Sequence, residues 1–173
     1  MKIGFTGASG TGKTTLARAL SDKYNLKLIT DIARTSPGAR FNMLTSNSQK
    51  SNQFIILNTL QFWAEQENIV SDRTVLDAYL YTKDLTSIEY NFAQSILEKN
   101  LKLYNLIIYC PYYKWDVKDE GVRNLDPKYQ YDFCYRTQKH LDWHNIDYLT
   151  MKNVSIDERM NEIEQGLIFR NLI

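Results

Sequence analysis

The 173-residue sequence carries 21 basic and 20 acidic side chains, a formal net charge of +1 at pH 7, and 43% hydrophobic residues. That length suits one domain over residues 1–173 with a sizeable core, and the charge balance argues against a broad nucleic-acid or anionic-membrane surface. Cys110 and Cys134 are too few for a disulfide framework, no signal segment precedes the first apolar run, and runs such as Leu106–Cys110 fall far short of the ~20 residues that span a bilayer, so the expectation is a soluble, cytoplasmic protein with no membrane partner.

In chain order, Lys2 to Thr6 reads as a strand, the glycine-rich stretch GASGTGKTT follows, and a helix runs from Lys13 to Tyr24. Lys27 to Thr30 is a second strand, residues 37–48 are the most loop-like segment, and one or two helices cover Gln49 to Glu67. A third strand spans Asn68 to Asp72, a pair of helices lies within Ala78 to Tyr104, and Asn105 to Cys110 is the fourth strand. After a long polar loop over about 112–126 come a helical stretch from Asp126 to Trp143, a strand from Asp147 to Thr150 and a helix from Ile156 to Phe169. Strands separated by helical crossovers predict an α/β fold: a five-stranded parallel sheet covered on both faces, with ligands at the carboxyl ends of its strands.

The spacing Gly7-x-x-x-x-Gly12-Lys13-Thr14 is the phosphate-binding P-loop, placed as it must be between a strand and a helix. Gly7, Gly10 and Gly12 allow the backbone N–H groups of the loop, including Ala8, Ser9, Thr11 and Thr15, to turn around phosphate oxygens. Lys13 supplies a point charge for the terminal phosphates, the Thr14 hydroxyl is a Mg²⁺ ligand, and the helix opening there turns its positive end toward the anion. ATP with Mg²⁺ is the expected ligand.

Other candidates follow the strands. Asp72, after the third strand, is read as a metal ligand or as a helix N-cap, and Arg73 beside it as a fork for a phosphate or sugar hydroxyl. Asp77, four residues on, orients Arg73 or forms an ordinary helix ion pair. Asp31, after the second strand, is either the base that takes the acceptor's hydroxyl proton or a cap for the segment from Ile32. Arg34 and Arg40 flank the loop-like segment as an acceptor-binding wall or as solvated side chains. The loop over about 112–126 is a candidate lid carrying Arg123 toward the transferring phosphoryl group. His140 and His144 have the spacing of a metal face but no evident third ligand, and read better as a surface pair. The aromatic stretches Tyr109–Trp115 and Tyr129–Tyr135 either pack or stack a base, and Tyr79-Leu80-Tyr81 faces the core or the acceptor pocket.

The succession GASGTGKTT, DIAR, VSDRTVLDAYLYT, LIIYCP, DEGVR and the late DER at Asp157–Arg159 resembles the small P-loop kinase-type ATPases related to the nicotinamide riboside kinase domain of the bacterial NAD regulator, including phage-type nucleoside and nucleotide kinases. The resemblance runs from Met1 to about Gly166. It implies a sheet order of 2-3-1-4-5, an acceptor side lined by Asp31, Asp72 and Arg73, and a lid holding Arg123. More distantly, Asp72-Arg73-Thr74 is similar to the acid-Arg-Ser segment of deoxynucleoside kinases.

These readings favour phosphoryl transfer from ATP to a nucleoside, nucleotide or related small metabolite. A kinase acting on nucleic-acid ends or modified bases needs several phosphate contacts, which a near-neutral chain supplies poorly. A partner-dependent ATPase is weakened because only Ile69-Val70 precede Ser71-Asp72 as an apolar run, and no Asn-Lys-x-Asp stretch marks a GTPase. A homodimer is compatible with the sequence.

Overall fold

A computed structural model describes residues 1–37, 46–82, 85–113 and 126–173. Strands β1 (Lys2–Gly7), β2 (Lys27–Ile29), β3 (Ile69–Ser71), β4 (Leu106–Cys110) and β5 (Tyr148–Thr150) form one parallel sheet in the order β2-β3-β1-β4-β5. This is the order that the resemblance implied. Helices α1 (Lys13–Tyr24) and α7 (Ile156–Phe169) cover one face, and α3 (Ser46–Ala64), α4 (Val75–Tyr81), α5 (Ser87–Leu101) and α6 (Pro127–Trp143) the other; a single turn, α2 (Ile32–Thr35), follows β2.

The two cores follow from the period-two alternation of a strand buried on both faces. Ile3, Phe5, Leu106 and Ile108 pack with Leu16 and Leu20 of α1 and with Ile163 and Leu167 of α7. Ile107 and Tyr109 point the other way, into Leu57, Leu60, Leu76, Leu97, Phe133 and Leu141. Each such fully buried Leu or Phe contributes about 1.5–3 kcal/mol. Gly4 of β1 sits so close to the second layer that an added Cβ would lie 2.6 Å from Thr74 and 2.7 Å from Tyr104.

Local capping fixes where the helices start. Thr74 and Asp77 form a capping box, so α4 begins at Val75, ahead of the expected Ala78. Thr86 with Glu89 and Ser155 with Glu158 do the same for α5 and α7, and Asp126 caps α6 with Pro127 in its first turn. Because all the strands are parallel, the helices that follow them start at the carboxyl edge of the sheet. Among the described residues, no helix is long and apolar enough to cross a membrane.

Candidate active site

The P-loop occupies residues 7–14 at the carboxyl end of the central strand. Gly7 has φ +118°, and a Cβ there would lie 2.3 Å from the Cys110 carbonyl oxygen, so β4 excludes any side chain at this position. The Ala8 N–H donates to that same carbonyl at 3.2 Å. Gly12, at φ +84°, is the N-cap of α1.

The loop is anchored from several elements. The Gly7 N–H donates to Asp77 Oδ1 at 3.3 Å, and the Gly7 carbonyl accepts from Arg73 Nη1 at 2.9 Å. The Ser9 N–H donates to Gln130 Oε1 of α6 at 3.1 Å, and the Thr11 carbonyl accepts from Arg159 Nη1 of α7 at 2.8 Å. Lys13 Nζ donates to the carbonyls of Gly7, at 3.1 Å, and Ala8, and to Thr11 Oγ1 at 3.2 Å. Burial, reinforced by the Arg73 charge, lowers the Lys13 ammonium from 10.5 to about 7.

Beside the loop, the Asp72 carboxylate accepts two hydroxyl hydrogen bonds at Oδ2, from Thr14 and from Thr30, each 2.7 Å. It does not cap a helix, since that position belongs to Thr74. A threonine hydroxyl and a carboxylate brought together beside a phosphate loop are the hard oxygen donors that suit Mg²⁺. Arg73 projects under the loop: Nη1 donates to Asp77 Oδ1 at 2.7 Å, and Nη2 reaches Ser9 Oγ at 3.5 Å. Burial works against its charge, but Asp77, Tyr81 and Asp72 outweigh it and hold the guanidinium above its ordinary pKa. Asp77 does more than pair with Arg73, because its second oxygen takes the Thr74 N–H at 2.9 Å and the Thr74 hydroxyl at 3.2 Å.

A cleft of about 710 Å³ opens in front of these groups, lined by Ser9 through Thr15, Asp72, Arg73 and Asp77 together with Asp31 and Arg34. Gly7 and Ala8, the first two residues of the loop, are not part of the cleft wall. Asp31 holds the N-cap position of α2 in the left-handed region, φ +58°, yet its side chain makes no capping bond; it stands 3.5 Å from Arg34 Nη1. Arg40 and Arg123 lie outside the described residues. So does most of the loop expected over about 112–126; of its ends, Tyr112 N–H donates to Cys134 Sγ, Tyr113 OH donates to the Met151 carbonyl, and Asp126 starts α6.

Tyr81 and Tyr129 also line the cleft, whereas Tyr79 and Tyr109 are core residues. His140 of α6 and His144 at its C-cap stack at 6.0 Å, with His140 edge-on to Tyr79, and no cluster of three metal-ligating side chains occurs among the described residues. Sequence reasoning gave no site role to Thr30, Asn52, Gln53, Gln130 and Arg159, the last of which it singled out only as the end of the DER segment. For three of them a signal existed: Asn52, Gln130 and Arg159 are buried polar members of otherwise apolar helical stripes, Asn52-Ile56-Leu60, Gln130-Cys134-Leu141 and Arg159-Ile163-Leu167.

Residues 2–159 match the AAA_28 family, described as an AAA domain. Among solved structures, the chain is similar to deoxyadenosine kinase from M. mycoides with bound dCTP, at 17% identity over 98% of this chain and 100% of that one, TM-score 0.71. It is similar to the NadR protein in complex with NR, at 16% identity over 95% of this chain and 50% of that one, TM-score 0.73. Shikimate kinase from Acinetobacter baumannii in complex with shikimate gives 15% identity, 99% and 95% coverage and a TM-score of 0.62. At such identities the likeness establishes the fold. No curated protein sequence matches the chain.

Proposed function

We propose that this chain, which belongs to the AAA_28 family of AAA domains, is an ATP- and Mg²⁺-dependent kinase that phosphorylates a nucleoside, a nucleotide or a related small metabolite. The observation that carries this reading is convergence. Lys13 and Thr14 at the P-loop, Asp72 and Arg73 after β3, and Asp31 after β2 come from three separate segments and line one cleft of about 710 Å³, a volume suited to small ligands. The similar solved structures include proteins named as kinases of deoxyadenosine, shikimate and thymidylate, which supports the same reaction class.

In this reading the P-loop N–H groups and Lys13 hold the β- and γ-phosphates, and Thr14 and Asp72 would hold Mg²⁺, whose bound charge would supply neutralisation of the phosphate oxygens. Asp31 faces the acceptor. The acceptor hydroxyl oxygen bonds to the γ-phosphorus, the bond from that phosphorus to the β–γ bridging oxygen breaks, ADP leaves with that electron pair, and the hydroxyl proton passes to Asp31. Arg73, preset by Asp77, donates to the transferring group or to an acceptor hydroxyl.

The test is ATP turnover with and without a panel of nucleosides, nucleotides and small hydroxy acids. Stimulation by one member of the panel is the expected result. Hydrolysis that no small acceptor stimulates, but that a nucleic acid or a protein does, would replace this reading with one of a polymer kinase or a partner-driven ATPase.

A further inference from the structure

We propose that Arg159 is a positioning residue for the phosphate loop: from α7 it fixes the Thr11–Gly12 peptide so that the Gly12 N–H faces the nucleotide phosphates. This assignment rests on the ATP reading above.

Arg159 is 1% exposed and continues the stripe formed by Ile163 and Leu167, both fully buried. A cation in that stripe is costly to desolvate and calls for a compensating contact. The end of α7 does not supply the reason, because Ser155 and Glu158 already satisfy it with a reciprocal capping box. Among its described contacts, Arg159 reaches the crest of the P-loop, 148 residues away in sequence, where Nη1 donates to the Thr11 carbonyl at 2.8 Å.

That carbonyl belongs to the same planar, trans peptide as the Gly12 N–H, so the two point in opposite directions. Tethering the oxygen to α7 turns the N–H away from α7, toward the cleft that Gly12 lines. Arg159 also lies close to Gly12 itself, since a Cβ there would be in ordinary van der Waals contact with Arg159 Nη1 and Ile156 Cδ1, each at 3.5 Å. A charge-assisted bond to the carbonyl polarises the peptide and strengthens the donor on its far side. The other anchors, Cys110, Asp77, Arg73 and Gln130, act on residues 7–9. Arg159 acts on residue 11, next to the N-cap of α1, where the helix dipole and the loop N–H groups converge.

The experiment compares the full chain with Arg159→Met, Arg159→Gln and Arg159→Lys, using calorimetry with Mg·ATP and with inorganic tripolyphosphate as a phosphate-only probe. Thermal melting checks the fold of each. Removing a charged hydrogen-bond donor should weaken Mg·ATP by about 10- to 100-fold in Arg159→Met and Arg159→Gln. Tripolyphosphate should lose the same factor, and Arg159→Lys should fall between these variants and the unsubstituted chain. Unchanged affinity in a folded Arg159→Met or Arg159→Gln overturns the assignment, as does a loss for ATP without one for tripolyphosphate. If Met and Gln both prevent folding, the arginine serves the core and the assignment also fails. An unsubstituted chain that binds neither probe refutes the nucleotide reading itself, a different result from equal binding by all forms.

Discussion

Asp77→Ala tests the hub on which the loop and Arg73 both rest. The carboxylate is 2% exposed and accepts from Arg73, the Gly7 N–H, and the N–H and hydroxyl of Thr74. Removing it strips one partner from a largely buried ion pair, a loss of about 3–5 kcal/mol, and deletes half of a capping box, about 1 kcal/mol more. Arg73 is 27% exposed and keeps its bond to the Gly7 carbonyl, which places the first figure at its lower end. The sum is about 4 kcal/mol, and with a urea slope of about 2 kcal/mol per molar the unfolding midpoint should drop by roughly 2 M. Asp77→Asn keeps the shape without the charge and should fall by about half as much. Turnover of both variants, measured well below the transition, should drop as well, because Arg73 loses its orientation. Urea unfolding followed by tryptophan fluorescence reads the first effect. A midpoint within about 0.5 M of the unsubstituted chain would show that Asp77 carries no structural load, and the account of Arg73 would fall with it.

Most of the scaffold was legible because its signals are local. The strand runs, the P-loop spacing and the crossover pattern each lie within a few residues, and the sheet order came with the resemblance to P-loop kinases. Boundaries slipped where a side chain three residues away decided them, as when Asp77 closed the box on Thr74 and moved the start of α4 to Val75. The acids after β2 and β3 were found because the carboxyl edge of a parallel sheet is where ligands collect. Asn52, Gln130 and Arg159 were not, although each stands on the buried face of its helix near the end that meets the same sheet edge. Hydrophobic periodicity treats a polar residue in an apolar stripe as noise. In this fold it marks a helix reaching the loop. Gln130 and Arg159 touch the loop at Ser9 and Thr11 through backbone atoms, which no motif spacing encodes.

Lys13 is lowered to about 7 chiefly by burial, whereas the unfolded chain keeps that proton up to about 10.5, so the unfolded state binds more protons between these values and stability should rise with pH across that window. Bound phosphates should return the proton, giving uptake near pH 8 in calorimetry with buffers of different ionisation heat; Lys13→Met should abolish the uptake and most turnover. Asp72→Asn, which leaves Thr14 and Thr30 with a neutral partner, should raise the Mg²⁺ concentration for half-maximal turnover by about tenfold or more, and an unchanged metal requirement would remove Asp72 from the metal site. Asp31→Asn separates catalysis from architecture, because asparagine tolerates the left-handed backbone at φ +58° as aspartate does, and the side chain makes no capping bond to lose. Its pairing with Arg34 spans 3.5 Å between side chains 36% and 50% exposed, so that contact contributes at most about 1 kcal/mol and its removal should leave the melting temperature nearly unchanged. A base that takes the acceptor proton predicts something else: kcat lower by about 10²- to 10⁴-fold, with ATP affinity within about twofold of the unsubstituted chain. Stopped-time turnover beside calorimetric ATP binding measures both quantities on one preparation. Full acceptor-dependent turnover in Asp31→Asn would leave Asp31 as the residue that starts α2, and the proton would need another acceptor.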